Sequence, residues 1–438
     1  MGSPEPTLGL VREVTEVDLR LPSGRSARLT GDAGDTSVIG SIRNAGGEYE
    51  SGLVQALAAN VQKDWVCLDI GANVGPITLT LGELCGRGAV HAFEPVPVTF
   101  GYLETNISAN VAGRNVQAHR LALRDEPGEV VIHFNPEFSG GAFVSSRLEH
   151  GESWSAPAST LDDWVTDKGI DRIDLIKIDV EGSELAVLDG AAETLRRFQP
   201  ALVVELNPIT IKRMGGVEPR DLYRRLAGLY GGRGHIASVP ARGPMTPVLS
   251  WHHVERVLAK SGLTDLYCSP QRLVPGRSPG VATRREAATE LLDSLRHWSR
   301  FGRPKWAALA DPHILIRVDQ LPTGRSGVVR GQPGERIFLP LLAYNRGRMT
   351  IVGDAPRFPV TTRVIWIDQE GHHIVDDRSR VTVPTMRPGG GASLRMPLFL
   401  PEEPGTYGLR VTFFQEDMCW FHDLDAESAV DVDVVVEH

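Results

Sequence analysis

An apolar run broken by a single acid, Trp65-Val66-Cys67-Leu68-Asp69-Ile70, leads without a spacer into Gly71-Ala72-Asn73-Val74-Gly75 and then Pro76. A strand that does not alternate apolar with polar is buried on both faces, which in a soluble chain points to a parallel sheet covered by helices. Gly71 and Gly75 take side chains out of the turn, Asn73 tolerates a left-handed backbone, and Pro76 suits the first position of a helix. Strand, tight corner and helix follow in that order, with backbone left bare for close approach to a ligand.

The same alternation continues downstream. Strand-like runs AVHAFEP, VQAHRLAL, EVVIHF, IDLIKIDV and ALVVELN recur, several separated by helical periods such as Ser183 to Phe198. This predicts an α/β fold, a doubly wound Rossmann-like sheet whose ligands sit at the carboxyl ends of the strands where the strand order switches. Ahead of it, Thr7 to Ile42 alternates around a Ser-Gly turn and reads as a hairpin. Past it, VPGRSPG from Val274 breaks regularity, and Ala288, Leu291, Leu292, Leu295 and Trp298 then recur at helical spacing.

Strict alternation resumes at Ile337 to Ala343, Tyr407 to Phe413 and Val430 to Val436. The expected organisation is a hairpin region over 1–45, an α/β domain over 46–275, a helical linker over 276–312 and an all-β domain over 313–438. The last reads as an immunoglobulin-like sandwich. Trp366 and Trp420 would be its core aromatics, in a domain that either stabilises the chain or docks a glycan or protein.

Bulk properties narrow the partners. The net charge of -9 over 438 residues opposes the basic face that nucleic-acid binding requires. Cys67, Cys85, Cys268 and Cys419 show no CxxC spacing, so neither zinc nor a disulfide framework is expected. The start MGSPEPTLGL lacks the pattern of a secretory leader, and no apolar run is long enough to span a bilayer. A cytoplasmic protein is the expectation. The adjacent pairs His252-His253 and His372-His373 lack metal-ligand spacing and receive no role.

Twenty-five residues beyond Asp69, Glu94 ends the strand AVHAFEP, where a carboxylate can accept hydrogen bonds from two ribose hydroxyls. A nicotinamide dinucleotide would use the same logic. However, GxGxxG is missing, and Asp69 before the turn would repel a pyrophosphate while tolerating a zwitterionic sulfonium. S-adenosylmethionine is the better fit, and a nicotinamide oxidoreductase stays as an alternative.

These blocks together resemble the FkbM family of methyltransferases: GGEYE at Gly46, LDIGANVG at Leu68, AFEP at Ala92, TLDDW at Thr160, LIKIDVEGSELAVLDGA at Leu175 and VVELNP at Val203. The resemblance covers about the first 275 residues. It implies methyl transfer, usually to oxygen. It also implies that Asp69, Gly71, Asn73, Gly75 and Glu94, with Glu50 of the GGEYE block, hold the cofactor. Asn106 would support its ribose edge, and Leu123 to Asp125 would border adenine. The β tail resembles domains attached to bacterial glycan-modifying enzymes.

Chemistry then needs groups at the strand ends. Lys177 and Asp179 lie two apart on LIKIDV and share a face, with Glu181 following where the strand leaves the sheet. They are the candidates for acceptor binding and base catalysis, against a plain Lys177–Asp179 ion pair beside a helix terminus. Glu205 and Asn207 end the next strand, and with Asp179 they would make an oxygen-rich set for Mg²⁺, against simple helix capping by Asn207. The expected reaction is O-methylation of a sugar, glycan or glycosylated metabolite. A non-sugar small molecule and a noncatalytic scaffold of glycan assembly are the alternatives.

Overall fold

Val66–Ile70 forms a fully extended strand because its side chains are claimed on both faces by apolar neighbours: Cys67, Leu68 and Ile70 are almost completely buried. In the computed structural model, the described residues are 13–111, 116–134, 143–144, 152–230, 234–289, 314–318, 328–346, 351, 360–368, 373–376, 378–415, 419–420 and 428–437. The expected helical period from Leu291 to Trp298, the start of the hairpin before residue 13 and His372 lie outside them. The chain divides into two units, residues 1–257 with 263–295 and residues 258–262 with 296–438.

The first unit opens with strands β1 (Val14–Arg20) and β2 (Ser26–Asp32), then helices α1 (Ile39–Asn44) and α2 (Ser51–Asn60). Next come β3 (Val66–Ile70), α3 (Pro76–Leu84), β4 (Ala89–Phe93), α4 (Pro97–Asn110) and β5 (Val116–His119). The short strands β6 (Ala122–Leu123), β7 (Gly128–Phe134), β8 (Phe143–Val144) and β9 (Glu152–Ser159) precede α5 (Leu161–Lys168). There follow β10 (Leu175–Ile178), α6 (Glu184–Asp189), α7 (Ala192–Phe198), β11 (Ala201–Leu206), α8 (Pro208–Arg213) and α9 (Pro219–Tyr230). The unit closes with β12 (Ile236–Val239), β13 (Thr246–Pro247), α10 (Trp251–Ser261) and β14 (Thr264–Cys268).

Eight strands make one sheet in the order β13-β12-β14-β11-β10-β3-β4-β5. The five from β11 to β5 run parallel, whereas β14 enters antiparallel beside β11 and pairs β12 antiparallel in turn. The sheet is therefore mixed. The chain winds outward from β3 through β4 to β5, then returns to β10 and winds the other way to β11, so the order reverses between β3 and β10. A crevice must open at that switch point, because the two connections leave in opposite directions.

One sequence expectation changes here. EVVIHF is not a strand of the main sheet; it is β7 in a separate sheet of order β6-β9-β7-β8, paired antiparallel with β9. A strand of six apolar-leaning residues carries no signal of which sheet will accept it. The N-terminal hairpin exists as β1 and β2, and α4 fastens it. Asn106 donates to Thr30 O at 2.9 Å and Val74 O at 2.8 Å and accepts from Thr30 N at 2.7 Å, while Asn110 makes the matching pair with Arg28 N and O.

The second unit is built of strands alone among its described residues beyond 313. β15 (Ile314–Val318), β17 (Arg336–Asn345) and β20 (Gly391–Phe399) form one sheet in the order β15-β17-β20, and β16 (Val328–Gly331) lies in the other. That other sheet also takes β18 (Val360–Ile367), β19 (His373–Asp376), β21 (Gly405–Gln415), β22 (Cys419–Trp420) and β23 (Ala429–Val436). Alternation buries one face of each: Leu339, Leu341 and Ala343 with Leu394, Met396 and Leu398 in the first, Leu409, Val411 and Phe413 with Val432, Val434 and Val436 in the second. Trp366 is buried and meets Tyr407 edge to face at 6.1 Å.

Candidate active site

A cleft of about 940 Å³, counting the space at its open mouth, lies at the switch point. Its walls include Gly71, Asn73, Glu94, Leu123, Lys177, Asp179 and Glu181 from the sequence candidates. They also include Arg124 of the Leu123 to Asp125 span and Tyr49 of the GGEYE block, with Leu121 and Ile132, which no local pattern distinguishes.

The corner is tight because two strand ends meet there. Gly71 has φ +80, and an added Cβ would stand 1.7 Å from the backbone oxygen of Asp179. Asn73 has φ 50, and its side-chain oxygen accepts from the next residue's N–H at 2.6 Å. Glu94 locks the corner from the neighbouring strand, accepting from Asn73 N at 3.0 Å through one oxygen and from Val96 N at 2.9 Å through the other. Each oxygen keeps a lone pair for a further donor. Burial raises the Glu94 carboxyl to about 7, although the two backbone bonds pull it down.

Asp69 lies beneath the cleft and does not line it. It is fully buried, accepts from Thr78 Oγ1 at 2.6 Å, and stands across the β3–β10 register from Lys177. Lys177 Nζ is 3.6 Å from Asp69 and 3.1 Å from Asp179, and it donates to Gly71 O at 3.2 Å. Burial alone would lower the Lys177 pKa, but Asp179, Asp69 and Glu50 outweigh it and hold the ammonium charged. One cation thus ties together the ends of both switch-point strands. The Lys177–Asp179 ion pair weighed as the plain reading is present.

Gly75 starts α3 in the left-handed region at φ 97, with its Cβ direction facing Leu103. Asn106 spends its amide on the hairpin and the corner from behind. Leu123 walls the cleft, whereas Asp125 pairs with Arg124 at 3.1 Å outside it. Glu50 ends the turn before α2 at φ 40, and burial followed by the nearby Asp265 raises its carboxyl to about 8. Trp164 of the TLDDW block packs edge-on against His91, Phe93 and His119.

Beyond Lys177 the crevice is acidic. Glu181, at φ 49, walls the cleft, and burial with the charges of Asp179 and Glu184 raises its pKa. Carboxylate oxygens of Asp179, Glu181 and Glu205 lie within 4.8 Å of one another. Asp265 sits directly across from Glu205 in the β11–β14 register. Glu184 accepts from Gly182 N at 3.0 Å and Val180 N at 3.3 Å, shaping the loop that presents Glu181. The oxygen set expected for Mg²⁺ needs correction: Asn207 accepts from Ile209 N at 3.2 Å and caps α8, and Glu181 takes its place beside Asp179 and Glu205.

These carboxyls set a pH dependence. Glu94 and Glu184 titrate near 7 in the fold and at an ordinary 4.5 when unfolded, so the folded state holds their protons more tightly. Both states are protonated below about 4.5, and folding loses stability as pH rises from there through 7. Each group accounts for up to about 3 kcal/mol. The urea midpoint of the α/β unit is expected to be higher at pH 5.5 than at pH 8.5, and Glu94→Gln should flatten that difference.

Against this geometry, residues 69–227 match the family described as the methyltransferase FkbM domain. The matched segment runs from Asp69 at the end of β3 into α9. The chain is 28% identical over 206 residues to "Hexuronic acid methyltransferase AglP" of Haloferax volcanii, covering 47% of this chain and 77% of that one. It is 27% identical over 176 residues to "Methyltransferase sdnD" of Sordaria araneosa, covering 34% and 68%. It is 31% identical over 158 residues to "31-O-demethyl-FK506 methyltransferase FkbM" of Streptomyces tacrolimicus, covering 29% and 60%. The protein is a methyltransferase. Among the described residues no helix is long and apolar enough to cross a membrane.

Proposed function

We propose that this methyltransferase moves the methyl group of S-adenosylmethionine to a hydroxyl of a sugar, glycan or glycosylated metabolite. The observation that carries the reading is one cleft walled both by the Gly71–Asn73 corner with Glu94 and by Asp179 and Glu181. A cationic, sugar-bearing donor fits the corner: Glu94 has one free lone pair per oxygen for ribose hydroxyls, and Gly71 leaves no side chain in the way. When bound, that donor supplies an electrophilic methyl group.

The chain's own residues do the rest. Lys177 holds Asp179 and Gly71 in place, so the floor of the cleft is set before any ligand arrives. Asp179 is committed to that ammonium, which leaves Glu181 as the carboxylate to take the proton from the acceptor hydroxyl. Burial and the neighbouring charges of Asp179 and Glu184 raise its pKa, which makes it the stronger proton acceptor. Glu205 is not among the residues that wall the cleft, and its buried Oε2 has no hydrogen-bond partner among the described residues. An acidic wall favours hydroxyl-rich acceptors over phosphate-bearing ones.

A labelled donor offered with sugar nucleotides, oligosaccharides and uronic acids tests the reading. Glu181→Gln is expected to bind donor normally by calorimetry and to lose about 10²- to 10⁴-fold in turnover. Unchanged turnover overturns the assignment of the base. A non-sugar small molecule is the second reading, favoured by the relative named for 31-O-demethyl-FK506. We read the two sheets of the second unit as an immunoglobulin-like sandwich, with the domains divided at 46–275, 276–312 and 313–438. The alternating buried faces support it.

A further inference from the structure

The outer face of β17 and β20 carries a feature that methyl transfer does not use. Phe338 is 41% and Tyr344 42% exposed, on a face whose opposite side is core. Arg336 lies over the Phe338 ring at 5.1 Å and also over Phe399 at 5.5 Å, Arg395 lies over Phe338 at 4.9 Å, and Arg378 lies over Phe399 at 5.2 Å. Arg378 is paired with Asp376 at 3.0 Å. Arg336 and Arg395 are exposed and have no carboxylate partner among the described residues.

The cation–π contacts hold each guanidinium beside a ring, and its N–H donors suit a planar oxyanion. The Tyr344 ring lies across Gly391, its partner in the register, since a Cβ there would come within 2.8 Å of it. The ring thus rests against the sheet and keeps exposed surface, on which an aromatic residue can receive the C–H face of a sugar ring. Phe338 and Tyr344 stand six residues apart on one strand, roughly 20 Å, the length of a short oligosaccharide. Two guanidiniums without a carboxylate partner among the described residues, on a chain of net charge -9, suit widely spaced carboxylates, not a dense row of phosphates.

We propose that the outer face of β17 and β20 binds an acidic polysaccharide of uronic-acid units, with Arg336 and Arg395 holding carboxylates and Tyr344 stacking on a sugar ring. The choice of a sugar polymer rests on the reading of the acceptor given above. The full chain, without methyl donor, is titrated with a galacturonic-acid tetramer, a neutral galactose tetramer and a single-stranded oligonucleotide. Binding of the acidic tetramer is expected, at least tenfold tighter than of the other two, and weaker as salt is raised.

Arg336→Ala with Arg395→Ala should weaken it at least tenfold and remove the salt dependence. Tyr344→Ala should weaken it comparably with the melting curve unchanged, since the ring is at the surface. Absence of binding by the unaltered protein, equal binding by the variants, or preference for the oligonucleotide overturns the proposal. Binding of the tetramer by a protein that methylates no sugar keeps this surface and overturns the catalytic reading. Sugar methylation without such binding does the reverse.

Discussion

Lys177→Met is expected to destabilise the α/β unit by about 3–5 kcal/mol, because it removes one partner of a buried ionic group and leaves the others. Asp69 is fully buried and has only Thr78 to replace the lost ammonium, and Asp179 would face Glu181 and Glu205 without a cation between them. The melting temperature of that unit should fall by on the order of 10 °C. Adding Asp69→Asn should restore part of the loss, since the two residues act as one group. Calorimetric melts of the single and double variants check this. A single variant melting within about a degree of the parent would mean that Lys177 does not hold the strand ends.

Gly71→Ala carries the second large effect. Alanine at φ +80 is strained by about 1–2 kcal/mol, and its methyl group would overlap the backbone oxygen of Asp179, which cannot rotate aside. Together with the overpacking penalty the cost should be about 3–5 kcal/mol. S-adenosylmethionine binding should fall below detection by calorimetry, because the corner can relieve the clash only by parting β3 from β10. Gly75→Ala should be milder: its Cβ would meet Leu103 Cδ1 at 2.7 Å, the movable end of a side chain. Gly101→Ala, in α4 with open space around it, should stabilise by about 0.5–1 kcal/mol. Equal losses at Gly71 and Gly101 would mean that the strand ends tolerate separation.

Legibility in the sequence divides by how local the cause is. The corner at Gly71 to Gly75, the proline start of α3 and Glu94 at the end of β4 can be read directly, because turn geometry and strand ends select residue types within a few positions. Asn106 cannot be read that way. Its amide is consumed by Thr30, seventy-six residues earlier, once the hairpin lies on α4. Asn207 illustrates the reverse case: of the two readings its position allows, the fold uses the local one, a helix cap.

The acidic wall shows the limit most clearly. Asp179 and Glu181 are visible as charges at a strand end, but Glu205 gains its carboxylate neighbour Asp265 only because β14 turns back antiparallel beside β11. Leu121, just before β6, and Ile132, within β7, also wall the cleft, and neither carries a pattern of its own.

The sequence by itself determined the elements whose reasons are short-range: a strand too apolar to be exposed, a glycine corner, a proline-led helix and alternating strands in the tail. Only the tertiary structure decided what those elements do to one another: that Asp69 is shut beneath the cleft on Lys177, that EVVIHF joins a separate sheet, and that the carboxyls of Asp69, Asp179 and Glu50 gather around one ammonium. The physical reason is that burial and opposite charge act through space. They have no period along the chain, so the same residues would carry ordinary pKa values and no shared task until the sheet reverses between β3 and β10.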